Sequence, residues 1–296
     1  MSPSPFGRSS SSSSARFGVA LATVAVTLAG FGCSANVVAE PTETGAQHLA
    51  VVEVRLRASA AEPEARLDAS ARFVAVREPG VASDALELLG LTYREPPAGA
   101  CAVVEAEPAA RPLPAVRVDL RDLSPVAVEI RGEDGESGSL TLEPRAFPDV
   151  GGLVSGVVFV APGAKPTRST PRAVVLTVAG ARLGDLDLPE LPRVQLPLAV
   201  ASEEGLIVDA KGFDLVVPTS TTDGRISVDV VRAGVTRARC GADAAGRVHV
   251  DAASVGGAGE TVLVVREQRR LVREEPSLGS VDTRVSREIE LKLVAR

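Results

Sequence analysis

The sequence predicts an all-β protein with little helix, built as two β-sandwiches in tandem. Three observations lead there. Apolar and polar residues alternate with a period of two, first in LAVVEVRLRA at residues 49–58, where Val52, Val54 and Leu56 face one way and Glu53, Arg55 and Arg57 the other. Turn-forming clusters punctuate the chain, among them GEDGESG at 132–138, APGAKP at 161–166 and TTDGR at 221–225. Short strands at fairly regular spacing favour sandwiches over alternating strand and helix units.

After that first strand, SDALELLGL at 83–91 offers the one plausible short helix. Alternation resumes in RVDLRD at 117–122, VAVEIR at 126–131 and SLTLEP at 139–144. GVVFVA at 156–161 and AVVLTV at 173–178 are continuous apolar runs, suited to strands covered on both faces. DLPELPRVQLP follows, and its Pro189, Pro192 and Pro197 mark residues 189–197 as a stiff linker, since proline cannot donate to a sheet interior. Beyond it, RISVDVVR at 225–232, TVLVVRE at 261–267 and VDTRVSREIELKLVAR at 281–296 alternate again. An immunoglobulin-like sandwich holds about 100 residues, so the chain after residue 48 is too long for one. The expected domains are 49–188 and 198–296, with cores of Val, Leu, Ala and Ile because the chain has no Trp and one Tyr.

Residues 1–32 carry Arg8 and Arg16 with no acidic residue, then the apolar run FGVALATVAVTLAGF at 17–31. A spanning helix needs about 20 apolar residues, so this shorter run, interrupted by Gly18 and Gly30, reads as a removable secretory signal. It ends in LAGFGCSA, with Cys33 preceded by Gly32 and followed by the polar stretch SANVVAEPTETGAQ, which makes residues 33–48 a flexible tether. This arrangement resembles the precursors of bacterial lipoproteins, which are cut before a cysteine that becomes diacylated. Gly32 fits the pattern, and Leu28, Ala29 and Gly30 repeat it two residues early, while Gly30 and Phe31 occupy positions where the family has Leu and a small residue. The resemblance implies lipidation of Cys33, the membrane as partner through that lipid, and, from Ser34 in place of Asp, the outer membrane. The other reading of the same residues is an ordinary signal-peptidase site, with Val37 and Ala39 before Glu40; Cys33 is then removed and the protein is soluble in the periplasm or secreted.

Export places the remaining cysteines, Cys101 and Cys240, in an oxidising compartment, where a disulfide between them would span 139 residues and tie the two halves together. The alternative is two buried thiols acting as small hydrophobes. His48 and His249 are the only histidines; a zinc site on Cys240 and His249 would lack two further ligands at sensible spacing, and His249 in GRVHVD reads as a surface residue. GLVSG at 152–156 is not a nucleophile elbow, GGAGET at 256–261 lacks the lysine of a phosphate loop, and the acidic GEDGES at 132–137 and GDLDLPE at 184–190 do not follow a calcium loop. No catalytic residue, cofactor, metal or small-molecule ligand is assigned. With a formal charge of −6 and REQRRLVREE at 266–275 interleaving Arg with Glu, nucleic acid is not an expected partner. The leading expectation is a cell-envelope lipoprotein with a non-enzymatic structural role or one in binding an envelope protein. The alternative is a secreted hydrolase or lyase using carboxylates brought together by the fold.

Overall fold

In the structure, a computed structural model, residues 46–59, 62–76, 86–87, 89–92, 95–104, 117–132, 137–148, 154–162, 165–167, 171–202, 205–220 and 223–296 are described. The signal segment, Cys33 and the tether up to residue 45 lie outside them, as do residues 133–136 of GEDGES and residues 152 and 153 of GLVSG.

Period-two alternation produces strands where it is strongest. Strand β1 (Gln47–Ser59) buries Ala50, Val52, Val54 and Leu56, while Glu53, Arg55 and Arg57 take the opposite face. It forms a hairpin with β2 (Glu62–Val76), in which Leu67, Ala69, Ala71 and Phe73 continue the buried face. After β3 (Cys101–Val103) and β4 (Val118–Leu120), strands β5 (Val126–Gly132), β6 (Ser137–Ala146), β7 (Val154–Val160), β8 (Lys165–Thr167), β9 (Pro171–Val178) and β10 (Ala181–Asp187) complete the first half. Strand β6 changes partner along its length: residues 137–142 pair with β5 and residues 143–146 with β7. That change folds one layer, β10-β9-β5-β6, over a second that contains β2 and β1. Between the layers lie Val52, Val54, Phe73, Val128, Leu140, Phe159 and Leu176, with Phe73 and Phe159 meeting edge to face at 5.6 Å. Each such side chain taken out of water contributes about 1.5–3 kcal/mol, so a core nearly free of aromatics still holds.

The second half comprises β11 (Val200–Ser202), β12 (Gly205–Val208), β13 (Gly212–Val216), β14 (Arg225–Arg232), β15 (Val235–Gly241), β16 (Arg247–Asp251), the helical turn α1 (Ala252–Val255), β17 (Gly259–Glu275) and β18 (Gly279–Ala295). A second apolar cluster joins Phe213 and Leu215 of β13 and Val248 and Val250 of β16 to Val228, Val230, Leu263, Val265 and Leu293. Asp251 caps α1 by accepting the Ser254 N–H at 2.8 Å, and this bond and the Ser254 hydroxyl hold its carboxyl below the usual carboxylate range.

Among the described residues the chain is nearly all β, and sixteen strands make one mixed sheet. Its order through the middle, β2-β1-β18-β17-β14-β15-β3, sets the first strand beside the last, parallel and in register from Leu49 with Ser280 to Ser59 with Glu290. Strands β17 and β18 pair over their whole lengths, Gly259 with Ala295 through Glu275 with Gly279. On their shared core face, Val281 and Val285 enter the first cluster and Leu263, Val265 and Leu293 the second. Glu43–Arg296 is one compact unit.

Residues 188–194, where the proline-rich linker is expected, contain no strand, and Gln195 makes a single bridge to Val216. Of the helix expected at 83–91, residues 86 and 87 are helical, and residues 83–85 and 88 lie outside the described residues. Gly90, in the left-handed region, donates to Glu87 O at 2.9 Å and Leu91 N–H to Leu86 O at 2.7 Å, which closes the turn and sets both leucines in a third apolar cluster.

Candidate functional site

Val76 of β2 pairs with Val118 of β4, and the chain between them is residues 77–117. Their described part runs from the helical turn through residues 95–100 into β3, which adds itself to the outer edge of β15. Cys101 lies directly opposite Cys240 there, and the two form a disulfide. Gly99 donates to Gly241 O at 2.8 Å and Gly241 to Ala100 O at 3.1 Å. A Cβ on Gly241 would stand 2.7 Å from Pro97 O and 2.9 Å from Pro96 O, so only glycine lets the two backbones approach this closely. This excursion is a strap belonging to the first half and clasped onto the second.

Beneath the strap lies a cleft of about 360 Å³. Its floor is the polar face of the central sheet, and the alternation already visible in the sequence builds it. Glu53 and Arg55 come from β1, Arg284 and Ser286 from β18, Arg266 and Gln268 from β17, Ser227 and Asp229 from β14, and Arg239 from β15; Gly90, Thr92 and Pro96 of the strap form the wall. Register brings them together: Glu53 opposes Arg284, Ser286 opposes Gln268, Arg266 opposes Ser227, and Asp229 opposes Arg239. Arg284 also ties floor to wall, donating from Nη2 to Leu91 O at 2.8 Å.

Arginines and carboxylates alternate across this floor. Arg239 donates from Nε and Nη2 to the two oxygens of Asp229, at 2.7 and 3.1 Å. Arg55 donates to Glu53 Oε2 at 2.8 Å, and Arg284 reaches Glu53 Oε1 at 3.4 Å and Asp282 at 2.7 Å. Arg266 donates to Glu288 at 2.6 Å, and Arg270 grips Asp282 through two bonds of 2.9 and 3.1 Å. Asp229 and Glu53 sit deeper than Arg239 and Arg55, with side-chain exposure of 9% against 45% and 19% against 37%, while Arg284, at 9%, is buried more deeply than Glu53 or Asp282. Arg72, on the neighbouring β2, is held below the usual arginine range by burial, with Glu53 opposing and Arg55 and Arg284 adding to the effect. Exposed pairs contribute at most about 1 kcal/mol each, and desolvated ones must first offset the cost of leaving water. The network is therefore a poor source of stability. Chemically it offers forked N–H donors, while both oxygens of Asp229 and of Glu53 are already engaged and are badly placed to take a proton from a substrate.

A second polar group was not foreseen from the sequence. Glu267 and Arg287 oppose each other on the core face of β17 and β18, between the two apolar clusters. Glu267 Oε1 accepts from Ser220 N at 2.9 Å and Ser220 Oγ at 2.8 Å, and Ser220 Oγ accepts from Glu190 N of the proline-rich segment at 3.0 Å. Glu267 Oε2 and Arg287 Nε are buried without a hydrogen-bond partner among the described residues. Arg287 Nη2 donates to Pro171 O; burial lowers the Arg287 pKa, opposed by Glu190 and Glu267. The available signal was a break in pattern: in RVSREIEL, Arg287 falls on the same parity as Val285 and Ile289.

His48, expected at the end of the tether, lies in β1 opposite Ala75 with its ring 3.1 Å from Arg121, and burial followed by that charge lowers its pKa. His249 is on the surface, 2.7 Å from Asp214. Cys240 gives its sulfur to Cys101, so it is no partner for His249 in a zinc site. In GGAGET the carbonyls of Gly256, Gly257 and Ala258 converge on the Arg232 guanidinium, the opposite polarity to a phosphate cradle, which presents N–H groups. Among the described residues no three His, Cys, Asp or Glu side chains group as metal ligands, and no helix is long and apolar enough to cross a membrane. Compared with protein-family models, curated proteins and solved structures, the chain matches none of them.

Proposed function

We propose that the protein is a cell-envelope lipoprotein, exported, acylated at Cys33 and held at the outer membrane, whose two immunoglobulin-like halves serve a non-enzymatic role in binding another envelope protein. The observation that carries the reading is the Cys101–Cys240 bridge. A disulfide fits an oxidising compartment, and pairing these two leaves Cys33 as the third cysteine of the sequence, at the end of the apolar segment where lipoprotein precursors are acylated. The non-enzymatic part is supported by the cleft, where arginines occupy the carboxylate oxygens that acid and base catalysis would use. The two apolar clusters, each enclosed between strand layers, support the immunoglobulin-like assignment.

The test is the mature N-terminus. Intact mass is expected to show a chain beginning at Cys33 and carrying two or three acyl chains, since stable anchoring takes more than one. Replacement Cys33→Ala should move the protein from the membrane pellet to the soluble fraction with its unfolding midpoint unchanged. A wild-type chain that begins at Glu40 and stays soluble overturns the reading.

A further inference from the structure

We propose that the Cys101–Cys240 bond is a releasable clasp, opened by thiol–disulfide exchange with an external dithiol such as the C-x-x-C pair of an oxidoreductase, and that its reduction frees one end of the strap and bares the outer edge of β15. The inference goes beyond the reading above and needs neither the lipid nor the outer membrane.

The first argument is how unequally the strap is held. One end is fastened by packing: Leu86, Leu89 and Leu91 join the third apolar cluster, and Leu91 O accepts from the buried Arg284. At the other end, none of residues 95–104 is buried, and within β3 only Cys101 packs against the second cluster. Among the described residues, what holds this end besides the sulfurs is polar. Val104 N–H donates to Arg237 O at 2.7 Å, the Gly99 and Gly241 amides bond across the same edge, and Glu95 meets Arg225 at 2.7 Å with both side chains exposed. Water replaces such bonds at little net cost. The covalent bond is the principal hold.

The second argument is access. Cys240 is wholly buried in the second cluster, whereas Cys101 is half-buried on β3, the last strand of the sheet order. A thiolate arriving from solvent therefore meets the Cys101 sulfur. It forms a mixed disulfide there, and the electron pair of the broken S–S bond leaves on Cys240, which takes up a proton. The second thiol of the dithiol then attacks the reagent's own sulfur in the mixed disulfide and releases Cys101, which is protonated in turn. In sum, two electrons and two protons pass to the protein, and the dithiol departs as a disulfide.

The third argument is that the reduced state has a place for both sulfurs. The Cys101 sulfur stands 3.3 Å from His249 O of β16; a bridged sulfur has no hydrogen to give that oxygen, and a thiol has one. Cys240, among Val228, Val230 and Leu263, fits as a small hydrophobe. The reduced strap then docks through reversible bonds alone. Each opening uncovers the backbone of Arg237, Arg239 and Gly241, which now meets Val104, Ala102 and Ala100.

The experiment treats the full mature protein with millimolar dithiothreitol in buffer and, in parallel, in urea, then alkylates and weighs it. Reduction in buffer should run within about tenfold of the rate in urea, since the rate follows access to the sulfur. With glutathione as the attacking thiol and an acid quench, peptide mapping should find the mixed disulfide on Cys101. Hydrogen exchange in the reduced protein should accelerate at the Gly99, Val104 and Gly241 amides while Leu91, β1 and β18 stay protected, and reoxidation should reverse it. A bond reduced only in urea, glutathione found on Cys240, or unchanged exchange after reduction would each overturn the proposal. Loss of protection throughout the second half would overturn it too, by showing the bridge to be a structural staple.

Discussion

Glu267 has its side chain wholly buried on the core face of β17, with one oxygen held by Ser220 and the other without a partner among the described residues, opposite Arg287, whose Nε likewise has none among them. Removing one member of such a pair strands the other in a low-dielectric site, whereas replacing both with apolar residues removes the desolvation cost altogether. Glu267→Ala and Arg287→Ala are each expected to lower stability by about 3 kcal/mol or more. The double replacement Glu267→Leu with Arg287→Leu should cost far less than the two single losses added together. Urea unfolding of the three variants measures this, and a double variant as unstable as that total would show that the residues do not act as a pair. These two charges are legible only as interruptions of an alternation, which is why RVSREIEL reads as an ordinary strand.

The strands themselves were far more legible than their pairing. In β1 the division of Val52, Val54 and Leu56 from Glu53, Arg55 and Arg57 follows from parity alone, because a strand's side chains alternate by geometry. Nothing local announces that β1 lies parallel to β18, or that Glu53 therefore meets Arg284, since that partnership joins residues more than two hundred positions apart. The cleft was illegible for that reason: its arginines come from four strands and read singly as solvated faces. The strap lies between these extremes. The pairing of its cysteines was anticipated, while its position as the wall of a cleft was not. Two changes should loosen the strap by different routes. Gly241→Ala forces a methyl group against the Pro97 and Pro96 carbonyls while leaving both sulfurs in place, and Cys101→Ser with Cys240→Ser removes the covalent clasp. Hydrogen exchange at the Gly99 and Gly241 amides should accelerate in both variants, with the β1 and β18 amides still slow. Loss of the bridge should also cost about 2–5 kcal/mol. Unchanged protection at Gly99 in both would show that the strap is held by something other than this edge.

Two apolar clusters invite the expectation of two transitions on heating, yet the β17–β18 hairpin passes through both, and β18 carries β1 on its other side. Neither cluster can lose this hairpin and keep its layers: the first draws Val281 and Val285 from it, and the second Leu263, Val265 and Leu293. The shared strands therefore couple the halves more tightly than a linker would. Calorimetry of the mature protein should show one cooperative transition. Truncation before Ser286 should abolish it, because the cut removes Ile289, Leu291 and Leu293 from the second cluster and the pairings of Arg55 through Ser59 with β18 from the first half. Three lost apolar contacts amount to several kcal/mol, comparable to the roughly 5–15 kcal/mol by which a whole domain is stable, so the effect should be loss of folding rather than a lowered midpoint. A truncated chain in which residues 46–188 still melt cooperatively at the original temperature would show that the first half stands alone, and that the continuous sheet joins two independent folding units.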